Sequence, residues 1–223
     1  MSSPLIEIVS ATRLSADDFA LSALGQSLAR LHDERIVPRI AFENRAGLPE
    51  VYNTAIHQPG GADLLVFMHD DVWIDESQFG DRIIEGLDRF DVIGVAGNRQ
   101  CAPAQTSWLL IHGHWDKPEN LSGRVAHGQD AQGEVSDFGP VPAPCCLLDG
   151  VLLAASKSTL IAAGVQFDPQ FSFHFYDMDF CRRATQQALS LGTWPIALTH
   201  QSVGEFTGAT WEEARRRYLA RWD

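Results

Sequence analysis

The spacing of apolar and polar positions changes several times along the chain, and each change marks an element. Leu5 to Val9 is a short apolar run that reads as a buried strand ending at Ser10-Ala11-Thr12. Leu21, Leu24, Leu28 and Leu31 then recur at helical spacing. Ser15 is placed to cap that helix, and Asp17 and Asp18 favour its first turn. Ile36 to Phe42 predicts a second strand, with Pro38 setting its early part at an edge. Pro49 suits the first position of a short helix through Val51, Tyr52, Ala55 and Ile56. Asp63 to Met68 is a continuous apolar strand between Gly60-Gly61 and an acidic cluster. Gln78 to Phe90 predicts a helix, and Val92 to Ala96 another buried strand.

Strands alternating with helices predict a single α/β domain over residues 1–223, with a mostly parallel central sheet and helices on both faces. From Gly113 to Pro144 the chain turns to Gly, Pro, Asn, Asp and His. That length without clear periodicity predicts a lid or acceptor-binding loop over about 113–144. Leu147 to Ala155 resumes as a strand interrupted by Asp149-Gly150. Tyr176 to Leu189 predicts a helix, Trp194 to Leu198 a strand, and Thr210 to Trp222 a last helix, with Thr210 and Glu213 at capping-box spacing.

A composition of 45% hydrophobic and 21% charged residues suits a globular domain with a sizeable core. The formal charge of −12 argues against a nucleic-acid backbone or an anionic membrane surface as the main partner. A small phosphorylated ligand would need local positive charge, most simply a divalent cation. Cys101, Cys145, Cys146 and Cys181 lack zinc-type spacing and read as buried reduced thiols. No signal peptide and no run of membrane-spanning length is legible, so the expectation is a cytoplasmic protein without a transmembrane segment.

Candidate chemistry gathers after the third strand. Ligands of open α/β sheets bind at the carboxyl ends of strands, and Leu64 to Met68 delivers His69, Asp70 and Asp71 to such an end. Strand alternation puts His69 and Asp71 on one side and Asp70 on the other. These donors suit Mg²⁺ or Mn²⁺, with His69 tilting the choice to Mn²⁺. A solvated acidic turn is the alternative.

Further motifs carry a resemblance. The stretch Asn44-Arg45-Ala46-Gly47-Leu48-Pro49-Glu50-Val51-Tyr52-Asn53, the segment Val66 to Ile74 around His69-Asp70-Asp71, the pair Asp149-Gly150, the run His174 to Ala184, and His200 before Gln201-Ser202-Val203-Gly204 occur in that order. Together they resemble the inverting family-two-like glycosyltransferases with the Rossmann-like type A fold. The resemblance implies that Asp71 takes the place of the metal-binding Asp, that His200 completes the metal site, and that Asp177 is the general base. His69 stands where the family has its first Asp, and Tyr176 stands where it has a Glu.

The resemblance thus implies metal-dependent, inverting transfer of a sugar from a nucleotide-sugar donor to a glycan, lipid-linked or protein acceptor, with peripheral membrane contact left open. Ser10, Asn44, Asn53, His69, Asp70, Arg99, Trp115, Asp149, Gly150 and Asp179 are the candidate substrate contacts: Asn44 and Asn53 for base or ribose, Arg99 for phosphate, Trp115 as a carbohydrate platform, Asp179 for the acceptor. Trp73 and Trp108 read as packing residues. Two other readings compete. The changes at His69 and Tyr176 would suit a catalytically silent sugar-nucleotide or glycan binder. A nucleotidyltransferase would want a Gly-rich basic signature near the first strand, where Ser10-Ala11-Thr12-Arg13-Leu14 supplies one Arg.

Overall fold

The computed structural model of the chain describes residues 3–111, 113–202, 204 and 207–223. Strands and helices alternate through the first half: β1 (Ile6–Ala11), α1 (Ala16–Phe19), α2 (Ala23–Arg30), β2 (Ile36–Ala41), α3 (Leu48–His57), β3 (Leu64–Met68), β4 (Val72–Ile74), α4 (Phe79–Leu87) and β5 (Val92–Gly94). Short strands dominate the next stretch: β6 (Ala96–Asn98), β7 (Leu110–Ile111), β8 (His114–Trp115), β9 (Leu121–His127), β10 (Glu134–Gly139), β11 (Ala143–Cys145), β12 (Leu147–Leu148) and β13 (Leu152–Ser156). Then come α5 (Lys157–Ala163), α6 (Tyr176–Gln186), β14 (Leu191–Thr193), β15 (Leu198–His200) and α7 (Ala209–Trp222).

The central sheet has the order β11-β14-β5-β13-β3-β1-β2. Strands β2, β1 and β3 run parallel, as do β14 and β5, but β13 runs antiparallel to both β3 and β5. The expected α/β sheet is thus present with its parallel pairs, and β13 makes it mixed. The reason is local: the chain enters β13 beside the carboxyl end of β3, where Leu152 pairs with Met68, and so must run back along it.

A second sheet, β12-β6-β9-β15-β4 with β10 beside β9, takes up much of the 113–144 segment. The β9–β10 hairpin replaces the expected lid-like loop. Its strand signal is masked by glycines that the packing demands. Gly123 sits at φ +102°, and a Cβ there would lie 2.0 Å from the carbonyl oxygen of Val95.

The first helix also differs from its periodicity. Ser15 caps α1 as expected, but Ser22 starts a second helix by accepting the Gly25 N–H at 3.1 Å. That break leaves Leu21 exposed. At the other end α7 begins after Gly208 without a side-chain cap, and Glu213 pairs with Arg217 instead of capping. Arg215 pairs with Glu212 on the same exposed face. Among the described residues no helix is long and apolar enough to cross a membrane.

Two of the expected reduced thiols are joined: Cys101 and Cys146 form a disulfide with Cα atoms 5.8 Å apart, while Cys145 and Cys181 are free. Antiparallel pairing of β12 with β6 brings the two cysteines together, a proximity that a separation of 45 residues hides in the sequence. Disulfides of this kind are typical of oxidising compartments, which does not favour the cytoplasmic expectation.

The aromatic core lies between β3 and α6. Tyr52, Phe67, Phe167 and Tyr176 pack with ring centroids 4.9–5.9 Å apart, and Phe180 stacks on Phe167 at 4.2 Å. This packing seats the start of α6 against the end of β3, where the candidate site lies.

Candidate active site

Three strand ends and one helix start meet at a cleft of about 640 Å³. β3 ends at Met68 and carries His69, Asp70 and Asp71 out of the sheet. β15 runs antiparallel to β4 with His200 opposite Val72, which sets His200 beside Asp71. The ring Nε2 of His200 lies 3.2 Å from Asp71 Oδ1 and 3.0 Å from Ser202 Oγ. One potential ligand atom from each of His69, Asp71 and His200 falls within 4.8 Å of the others, a spacing that could hold a metal ion.

The electrostatics of this trio follow from its burial and pairing. Burial alone would raise the Asp71 carboxyl, but the hydrogen bond and charge of His200, with His69 adding, hold it down at about 2. Burial opposes a charged His200, and its bond to Asp71 outweighs that, so its pKa is raised. His69 is lowered, first by burial and then by His200. Without a metal the site is thus a paired Asp71 and His200 beside a neutral His69.

His69 is fixed from its other side. The Tyr176 hydroxyl donates to the Gly150 carbonyl at 2.8 Å, and His69 Nε2 lies 3.0 Å from the same hydroxyl. With the phenolic proton committed to Gly150, a neutral His69 must donate from Nε2, which leaves Nδ1 with its lone pair. Phe173, half exposed, stacks on the His69 ring at 5.9 Å.

Asp149, Gly150 and Asp177 form the opposite wall. Asp149 accepts the Val151 N–H and the Trp108 indole N–H, both at 2.8 Å. Asp177 Oδ2 accepts the Gly150 N–H at 3.0 Å. A Cβ on Gly150 would sit 2.4 Å from the Tyr176 hydroxyl oxygen and 3.0 Å from Asp177 Cβ, so a glycine permits this approach. Burial pushes Asp177 up to about 7, the charge of Asp149 adds to the rise, and the backbone N–H groups of Met178 and Gly150 oppose it only in part. Phe175, which precedes α6, has φ +65°. Such a conformation costs about 1–3 kcal/mol and is held here by packing on Tyr218 and Trp211.

His69, Asp149, Gly150, Asp177 and His200 all line this cleft. Asp71 stands behind them on His200. Other candidates have other work. Asn53 braces the chain, donating to the Phe167 carbonyl at 2.8 Å and accepting its N–H at 3.0 Å. Asn44 closes a local turn with Ala46. Asp179 is fully buried and takes donors from Arg183, Arg221 and the Trp222 indole, which makes it a clamp between α6 and α7, out of an acceptor's reach. Asn44 and Asn53 each spend one donor and one acceptor on these contacts, and Asp179 is closed in by its three donors. Ser10 is buried in β1, and Arg99 is exposed with a long contact to the Glu119 carbonyl. Asp70 lies off the cleft, its carbonyl taking the Leu24 N–H. Trp115 is 68% exposed and borders the cleft wall through Phe138, its ring centroid 6.4 Å away.

His127 and Phe138 were not foreseen from the sequence, and packing was the favoured role for Trp108; all three line the cleft, together with Phe173 beside Asp177. Val125 and His127 do stand two apart, as residues on one face of a strand must, but the glycines around them blur that signal. Val203, within the motif around His200, lies outside the described residues.

The solved structures that resemble the chain share its fold at low identity. GalNAc-T7 with UDP, GalNAc and Mn²⁺ superposes with a TM-score of 0.63 at 9% identity, over 97% of this chain and 48% of that one. The mannosyltransferase PcManGT from Pyrobaculum calidifontis with GDP-Man and Mn²⁺ gives 0.56 at 11% identity, over 98% of this chain and 63% of that one. TarS 1-349 of S. aureus gives 0.55 at 11% identity, over 88% and 60%. The chain therefore spans about half to three-fifths of the length of these proteins. No curated protein matches it by sequence. A family model matches residues 34–219, from before β2 into α7, and on that match the chain belongs to the glycosyltransferase like family.

Proposed function

We propose that the chain is a metal-dependent, inverting glycosyltransferase that moves a sugar from a nucleoside-diphosphate donor to the hydroxyl of an acceptor glycan. The observation that carries this reading is the meeting of His69, Asp71 and His200 at one end of the cleft that Asp177 lines. Two imidazoles and a carboxylate fit Mn²⁺ better than Mg²⁺, which prefers an all-oxygen shell. A bound Mn²⁺ would supply the positive charge that a departing diphosphate needs.

Asp177 takes the proton of the acceptor hydroxyl. The hydroxyl oxygen then bonds to the anomeric carbon of the donor sugar as the bond from that carbon to the diphosphate breaks, its electron pair leaving with the phosphate oxygen. A carboxylate with a pKa near 7 is well matched to this work at neutral pH. The Gly150 N–H orients the carboxylate by holding its Oδ2. Trp108, Phe138 and Trp115 give the acceptor side an aromatic wall, suited to the apolar face of a sugar ring.

The test is calorimetry with UDP- and GDP-sugars in the presence of Mn²⁺, followed by transfer assays and assignment of the product anomer by NMR. Nucleotide-sugar binding with transfer and an inverted product is expected. Donor binding without turnover under any acceptor would instead favour a silent binder, and absence of donor binding would end the proposal.

A further inference from the structure

A diphosphate in the cleft must find hydrogen-bond donors, and among the described residues lining it there is no Lys or Arg. Histidines stand in their place. His69 is committed to Tyr176, and His200 to Asp71 and Ser202. His127 is different: it lines the same cleft, yet its Nδ1 is buried with no hydrogen-bond partner among the described residues.

Its placement is set by the second sheet. β9 and β15 are parallel, with His127 in register with His200. Residues in register on adjacent strands point to the same face, and the two ring centroids are 6.2 Å apart. Val125, two residues earlier, lines the same cleft, whereas Arg124 and Ala126 line a separate groove on the other face of β9. His127 is thus a polar cleft-lining residue beside His200 whose Nδ1 no described residue engages.

Resting on the glycosyltransferase reading above, we propose that His127 is a donor-binding residue whose ring N–H contacts the diphosphate of the nucleotide, one strand beyond the metal site. A neutral imidazole always carries one N–H, so the contact needs no change of protonation. It would hold the phosphates from the β9 side and supply a donor in a cleft that no Lys or Arg lines among the described residues.

The experiment is calorimetry on wild type, His127→Gln and His127→Ala with three probes: Mn²⁺ alone, UDP plus Mn²⁺, and GDP plus Mn²⁺. Circular dichroism and Mn²⁺ affinity report whether each variant keeps its fold and its metal site. The expected result is Mn²⁺ affinity within about twofold of wild type, and affinity for the preferred nucleoside diphosphate lower by about tenfold or more in both variants, as for the loss of a hydrogen bond to a charged group. Unchanged diphosphate affinity with normal Mn²⁺ binding overturns the proposal. A matching loss of Mn²⁺ affinity also overturns it, since His127 would then act through the metal site or the fold. If wild type binds neither nucleotide, the glycosyltransferase reading fails and this proposal with it. If wild type binds and the variants bind as well, the proposal alone fails.

Discussion

The Nε2 of His69 lies 3.0 Å from the hydroxyl of Tyr176. These are the two residues at which the chain departs from the family-two-like pattern, and they touch. A His where an Asp is usual needs its tautomer fixed before it can ligate a metal, and the Tyr where a Glu is usual provides the fixing partner. The two departures read as one compensated change.

Tyr176→Phe should therefore act on the metal site although Tyr176 is not a ligand. Loss of the hydrogen-bond partner behind a metal-binding His typically lowers metal affinity by about 10- to 100-fold, and a drop of about tenfold for Mn²⁺ is expected here by calorimetry. The variant also leaves the Gly150 carbonyl without its donor, at a cost of about 1–2 kcal/mol in stability. Wild-type Mn²⁺ affinity in a folded Tyr176→Phe would show that the hydroxyl does not order His69.

Asp177 should give the reaction its lower pH limit. The base must be ionised, so the rate is expected to rise with pH and to level off above about 7. Stability should move the opposite way. With its pKa raised in the fold above the usual carboxylate value of 3.8 to about 7, the folded state binds more protons than the unfolded state across that window. The contribution of this group to stability is thus present at low pH and lost as pH rises through it. Asp177→Asn keeps an acceptor for Gly150 and does not ionise. It should melt close to wild type below about pH 4 and increasingly above it as the pH rises towards 8, while transfer falls by about 10²–10⁴-fold. A melting difference that does not change with pH would rule out the raised pKa.

The sequence was most readable where one signal sufficed. β1, β3 and α3 follow from uninterrupted apolar runs and a well-placed Pro49. His69-Asp70-Asp71 followed from its place at a strand end, and Asp149-Gly150, Asp177 and His200 from the resemblance to the family-two-like glycosyltransferases. What escaped depended on contacts between distant segments. The disulfide between Cys101 and Cys146 needs β12 to lie against β6. Asn53 braces Phe167, 114 residues further along the chain, a contact that no local pattern announces. His127 gave no signal because Gly123 within its strand and Gly128 just after it blur the alternation, and its neighbour His200 is a parallel-strand partner from the far end of the chain.

Asp179 offers a control for the base assignment, because it shares the helix start with Asp177 but faces away from the cleft. Its carboxylate joins Arg183 at 2.6 Å, Arg221 at 3.0 Å and the Trp222 indole at 2.9 Å. Both arginines also reach Asp168, so they keep a partner when Asp179 is removed. Asp179→Ala should then cost about 2 kcal/mol, the value of charged hydrogen bonds lost, and not the larger cost of a stranded buried charge. Denaturant unfolding measures this directly. Nucleotide affinity should stay at the wild-type value, and a selective loss of binding with intact stability would place Asp179 back among the substrate contacts.

The disulfide yields the last prediction. It closes the segment that carries Trp108, whose indole holds Asp149, and Asp116; Asn98, just before that segment, donates to both the Trp108 carbonyl at 2.9 Å and Asp116 at 2.7 Å. For a separation of 45 residues, constraint of the unfolded chain is worth about 4 kcal/mol. Cys101→Ser paired with Cys146→Ser should lower the unfolding free energy by about 2–4 kcal/mol and leave the contacts of His69, Asp71 and His200 in place, since none of them lies in the closed loop. Mn²⁺ affinity should therefore hold while the melting temperature falls by several degrees, at about 2–4 °C per kcal/mol for a domain of this size. Equal stability of the double variant and the oxidised wild type would mean that the segment is fixed by its strand pairing alone.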